Sequence, residues 1–323
     1  MARSFEDILS EIKRAVKQFN RTIPDTQRAM YDAINLELRR LDLTNDATIK
    51  PTVDNLKIIQ SIKNKLHRLI VTPDYLQDVK DFVQSFNAVT VLQNEYWKSV
   101  EQKFTPKPIL KQIRIQTIRD TVAHLTDMGI EANVTNPIGD LLRMNITTGG
   151  SYKAMQDAIG KQLLTTETPG LLEKFTTTIT KTSLNQYSRQ YTQTTSNDLG
   201  FEWYSYQGSE IETSRPFCQA MVENNRYFHI SQIPQLLTAH AADGEPLTYH
   251  DFKTGELKTV RVNPKTGLPI GFIEGTSPDN FLTNAGGWNC GHQPRPVPER
   301  NVPLAVREVV YATPAYKRWK GAN

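Results

Sequence analysis

The spacing of apolar residues changes once along this chain, near Gly200, and that change limits the architectures open to it. Upstream, apolar side chains recur at three- and four-residue steps, the period of helices that turn one face to a core. Downstream to Pro303, proline and glycine become frequent and the apolar residues gather into short extended runs. A 323-residue chain of this kind is expected to be α+β. An all-helical N-terminal region, residues 1–165, would precede a smaller α+β C-terminal domain, residues 166–323, that contains a β-hairpin.

The first stripe is Phe5, Ile8, Leu9, Ile12, Val16 and Phe19, with Ser4 and Asp7 placed to cap it. Further helices are expected over 25–41, 53–70 and 74–103, with Pro51 and Pro73 at positions where a helix begins. Ile109, Ile113, Val122 and Leu125 give another stripe. A turn near Gly129, a short helix over 138–144 and a break at Gly149-Gly150 follow. Ser151 can cap a helix running to Leu164, and Pro169 opens a long one toward Leu199. Its threonines are poor helix formers, so its stability must come from packing. These stripes carry mixed charge on their outer faces and read as core, and no repeat of solenoid length is present.

Beyond Gly200, residues 201–206 read as an aromatic strand. Leu247 to Phe252 and Leu257 to Val262 read as a hairpin joined by residues 253–256, with Gly255 at the left-handed position. Residues 263–267 supply a turn and 277–287 an ordered loop. Charge is unevenly spread. Residues 201–250 are acidic, whereas the terminus carries Arg307, Lys317, Arg318 and Lys320 interleaved with Tyr311, Tyr316 and Trp319. Such a basic aromatic tail suits docking on an acidic partner or stacking on single-stranded nucleic acid, with Lys317, Arg318, Trp319 and Lys320 as the contact candidates.

Several classes are disfavoured by composition. Two cysteines are too few for a disulfide scaffold or a zinc-ribbon array and fit a reducing compartment. No run approaches the ~20 apolar residues that a membrane span needs, and the N-terminus is not a secretory signal. The formal net charge of +4 permits nucleic-acid contact without arguing for it.

Two blocks stand out. The first is Ser209-Glu210-Ile211-Glu212-Thr213-Ser214-Arg215-Pro216-Phe217-Cys218. The second is Gly286-Gly287-Trp288-Asn289-Cys290-Gly291-His292-Gln293-Pro294. In order and content they resemble the MuF-like family of phage minor head proteins, over roughly residues 147–298. Thr213, Ser214, Arg215, Pro216 and Cys218 match the family's first block, and Trp288, Asn289, Cys290 and His292 its second. Gly291 stands where the family commonly has a basic residue, and no counterpart of its Asp-Gly turn is read between Met221 and His250. The resemblance implies a virion protein of a tailed phage, assembled in the bacterial cytoplasm, that binds the portal or major capsid protein at the portal vertex and assists head assembly, genome packaging or ejection. It implies no small-molecule substrate and no membrane.

The chemistry of the blocks is open to several readings. Cys218, Cys290 and His292, with His229, His240 or His250 as a fourth ligand, offer the donors of a structural zinc site. Alternatively the cysteines are small buried hydrophobes and His292 bonds a loop carbonyl, or the thiols form a disulfide after an oxidising step. A nucleophilic reading would use Cys218 or Cys290, His292 as base and Glu210 or Glu212 as orienting acid. No nucleophile elbow, phosphate loop or HExxH accompanies it, so no catalytic residue is expected. Glu210, Glu212 and Arg215 read instead as a salt-bridged turn, with Arg215 forking onto a carboxylate. Glu212, Thr213, Arg215, Pro216, Trp288 and Asn289 form the structural motif. The rival functions are a virion-internal protein that binds packaged DNA, and a Cys/His-dependent enzyme or effector.

Overall fold

The computed structural model describes residues 4–164, 169–208 and 211–322. Glu210 and Ser209 of the first block, and the expected division at 165/166, lie outside the described residues. The protein is 64% helical, with a helical N-terminal region and a small sheet in its C-terminal part, and it is α+β. Two compact units are interleaved along the chain. The first is built from the described residues of Arg3–Leu92 and Arg114–Ser183, the second from those of Gln93–Ile113 and Leu184–Asn323. Among the described residues no helix is long and apolar enough to cross a membrane.

The helical unit holds α1 (Phe5–Phe19), α2 (Ile23–Leu38), α3 (Val53–Ile70) and most of α4 (Pro73–Val100). It also holds most of α5 (Pro108–Leu125), α6 (Asp127–Ile130), α7 (Asn136–Thr147), α8 (Tyr152–Leu163) and the start of α9 (Leu171–Asp198). Phe5, Ile8, Ile12 and Phe19 of the first stripe are buried, and the Asp7 carboxylate accepts from the Ser4 backbone N–H at 2.8 Å. Phe19 packs against Tyr75 and Phe82, and Phe82 against Phe86, with ring centroids 5.4–6.0 Å apart. Ser151 caps α8 by accepting from the Ala154 amide.

Two local readings are corrected. No simple turn occupies Gly129: α6 runs through it into a π-helical turn, Glu131–Thr135, that continues into α7. Gly129 is needed there because a Cβ would lie 1.8 Å from the His124 carbonyl oxygen. On α5, Leu125 of the expected stripe is buried and Ile113 and Val122 are half-buried, but Ile109 is half exposed and the neighbouring Leu110 faces inward in its place.

In the second unit, β1 (Trp203–Gln207) is the centre of a three-stranded antiparallel sheet ordered β2 (Tyr227–His229), β1, β5 (Gln293–Pro296). Pairing covers both edges of β1, and its two faces pack into different clusters, Tyr204 and Tyr206 with Phe217, Phe228 and Phe281, and Trp203 with Val302 and Val310, so Trp203, Tyr204, Ser205 and Tyr206 are all buried. Pro294 and Pro296 are tolerated because β5 is an edge strand. The expected hairpin is present as β3 (Thr248–His250) and β4 (Leu257–Thr259), with Gly255 at φ 68°. In sequence α10 (Pro216–Glu223) lies between β1 and β2 and α11 (Ile233–Leu237) between β2 and β3, and α12 (Phe281–Asn284) follows the hairpin. Asp243 and Gly244 lie in a turn, with Gly244 at φ 91° and its amide bonding the Ala241 carbonyl.

The basic terminus is neither a tail nor a strand. It forms α13 (Leu304–Ala312) and α14 (Pro314–Ala322). Tyr311 packs on Trp203, and Tyr316 and Trp319 pack on the buried His229 at centroid distances of 5.1 and 4.6 Å. Those rings are therefore engaged in the unit's own core, while Lys317, Arg318 and Lys320 stay exposed.

Candidate metal centre

The two blocks meet in space although Cys218 and Cys290 are 72 positions apart. Pro216 pre-sets the first turn of α10 and so delivers Cys218. Cys290 comes from the loop after α12, and His292 from the residue before β5. Their Sγ atoms lie 3.7 Å apart, and Cys290 Sγ lies 3.6 Å from His292 Nδ1. All three donors fall within 4.8 Å of one another and all three residues are buried, so the group could hold a metal ion.

Close packing around the thiols depends on two glycines. At Gly286, φ 72°, a Cβ would lie 2.3 Å from Cys290 Sγ and 2.9 Å from both Cys218 Sγ and the Tyr206 hydroxyl. At Gly208 it would lie 2.3 Å from the His292 ring. Tyr206 stacks its ring on His292 at 5.6 Å and 15° and sets its hydroxyl 3.5 Å from Cys218 Sγ. His292 Nε2 is buried with no hydrogen-bond partner among the described residues.

Two arginines hold the second block. Arg215 donates to the carbonyls of Gly286, at 2.8 Å, and Trp288. This corrects the expected fork onto a carboxylate: Arg215 joins one block to the other, and Glu212 instead pairs with Lys253 at 2.8 Å in solvent. Buried Arg189 of α9 donates to the carbonyls of Cys290 at 2.6 Å, His292 at 2.8 Å and Thr283 at 3.2 Å. Gln293 donates to Asn185 at 2.7 Å, also on α9. The polar composition of that helix is thus explained, because its buried face supplies hydrogen bonds to a loop with no ladder of its own.

The thiols are unequal. Their mutual hydrogen bond holds Cys290 well below the ordinary thiol range, with His292 and Arg189 assisting against burial. The same bond and burial push Cys218 well above it. Burial above all pushes the Tyr206 phenol up, reinforced by the neighbouring sulfurs. Cys290 is therefore the first of the three to ionise.

The remaining expected ligands are elsewhere. His229 is engaged by Ser231 and the aromatic cluster, His240 by Thr238, and His250 by Glu223. Trp288 and Asn289 are exposed, Asn289 at φ 59°. Sequence reasoning missed Arg189, Tyr206 and Gly208, and included Gly286 in the second block without giving it a role. The signal for Arg189 was the polar stripe Asn185, Ser188, Arg189, Thr192 and Ser196 on α9, at the spacing of one helix face. A separate cleft of 710 Å³ in this unit is lined by Gln193, Pro234, Asp279, Leu282, Arg318 and Trp319 among others. It contains none of the cluster residues. Compared with family models, curated proteins and solved structures, the chain matches none.

Proposed function

We propose that this protein is a structural minor head protein of a tailed bacteriophage, similar to MuF-like proteins, which binds the portal or the inner capsid at the portal vertex. The observation that carries this reading is the meeting of the two family-like blocks in one buried cluster, tied by Arg215 to the carbonyls of Gly286 and Trp288. The thiols are 1% and 5% exposed, which suits a structural rather than a reactive role. The same proposal gives Cys218, Cys290 and His292 a structural zinc ion that pins α10 to the loop before β5. Amphipathic helices of the first unit would supply the partner-binding surface, which needs no catalytic chemistry.

Mixing the full chain with its portal protein and following co-migration by size exclusion tests the assembly reading. A stable co-migrating complex is expected, and separate elution of both components counts against it. Elemental analysis is expected to find about one zinc per chain and its loss in Cys290→Ser; a zinc-free wild type ends the metal reading. The nucleic-acid alternative rests on the exposed Lys317, Arg318 and Lys320. Filter binding across salt separates it, since phosphate contacts make affinity fall steeply as salt rises.

A further inference from the structure

Three protein donors leave a tetrahedral ion one ligand short, and the histidines first considered for that position point elsewhere. The atom that does face the cluster is the Tyr206 hydroxyl. It is fully buried, on the last residue but one of β1, and its one described hydrogen-bond contact is Cys218 Sγ at 3.5 Å. It also converges with both sulfurs on one point beside Gly286, as the distances to that residue's absent Cβ show.

The separations have the size that a metal at the centre would impose. With metal–sulfur bonds of about 2.3 Å and metal–nitrogen or metal–oxygen bonds of about 2.0–2.1 Å, a tetrahedron has edges of roughly 3.8 Å between sulfurs and roughly 3.5 Å from sulfur to nitrogen or oxygen. The cluster shows 3.7 Å between sulfurs, 3.6 Å from sulfur to imidazole nitrogen and 3.5 Å from sulfur to phenol oxygen.

Charge points the same way. Arg189 is 2% exposed, and its described hydrogen bonds all end on backbone carbonyls, with no carboxylate among them. A buried cation is costly without a buried anion. A divalent ion with two thiolates and a neutral imidazole carries no net charge and leaves Arg189 uncompensated. A phenolate in the fourth position makes the centre singly negative and balances it.

We propose that Tyr206 is the fourth ligand, completing a site of two sulfurs, one nitrogen and one oxygen for a divalent ion of zinc type. The inference rests on the metal reading given above. On binding, the phenol O–H bond and the S–H bond of each protonated thiol break, their protons leave to solvent, and oxygen–metal and sulfur–metal bonds form.

The test is cobalt(II) titration of the full-length metal-free chain, with affinity measured by chelator competition. Wild type is expected to develop the visible bands of tetrahedral cobalt together with a metal-dependent tyrosinate band in the ultraviolet. Tyr206→Phe is expected to lose the tyrosinate band and to bind at least about tenfold more weakly. Cobalt-loaded wild type without a tyrosinate band overturns Tyr206 as a ligand while leaving the three-ligand site standing, and needs no variant to fold. Equal affinity and identical spectra for Tyr206→Phe overturn it too. A wild type that takes up no cobalt or zinc overturns both the fourth ligand and the site itself.

Discussion

The helical unit and the unit that carries the Cys–His cluster place their polar side chains differently. In the first, ion pairs such as Asp54–Lys57 and Asp140–Arg143 join neighbours on one helix and lie in solvent. Asn55, Gln27 and Thr176 are exceptions, buried while holding respectively the backbone of Asp42 and Lys50, the Glu173 amide and the Asn20 side chain. In the second, Arg189, Asn185, Ser188 and Gln293 are buried and bind segments remote in sequence. The contrast separates a core held mainly by apolar area, where changes to exposed ion pairs matter little, from a core in which loops are shaped by a few exact-fit contacts.

Substitutions that probe each core can break that contrast. Phe86→Ala in the helical unit should cost about 3–5 kcal/mol, the price of a large buried cavity, and Gly286→Ala in the second about 3 kcal/mol, from overpacking and the left-handed backbone. Hydrogen exchange read separately over the two units checks where each loss falls. Protection should drop first in the unit that carries the substitution, and a uniform drop from Gly286→Ala would contradict a local role.

His229 gives a pH test that only the second unit should show. Burial lowers its imidazole from 6.5 to about 4. Between those values the unfolded chain binds the proton more readily, so stability rises with pH through that window and is lost as pH falls from 6.5 toward 4. The expected loss is about 2 kcal/mol, below the full value for a shift of this size because the site is partly screened. Denaturant midpoints of wild type and His229→Gln across that range check it. The variant should be flatter, and parallel curves would remove His229 as the cause.

Asp54→Asn marks the small end of the scale. Its carboxylate is held below the usual range by the hydrogen bond from Lys57, yet both groups are solvated. Loss of a solvated pair of this kind should leave the urea midpoint unchanged.

Legibility in the sequence followed the same contrast. The third helix starts at Val53 and ends at Ile70 in both readings, because its apolar period and its Thr52 cap are local signals. The hairpin was legible from its turn, Gly255 included. Trp319 was not, since a basic aromatic terminus gives no sign that its ring will close over His229. Arg215 was correctly singled out and wrongly paired. A guanidinium donates to carbonyls as well as to carboxylates, and only the fold brings those of Gly286 and Trp288 within its reach.

Local spacing by itself therefore determined the helices upstream of Gly200 and the change of architecture there, and the two blocks singled out Cys218, Cys290 and His292. Tertiary structure alone decided that these three converge, that Tyr206 and Arg189 stand beside them, and that His229, His240 and His250 do not. The reason is physical. A helix period and a capping hydroxyl act within a few residues, whereas a donor cluster is assembled from segments whose approach is set by strand pairing, by buried arginines and by glycines that leave room for sulfur.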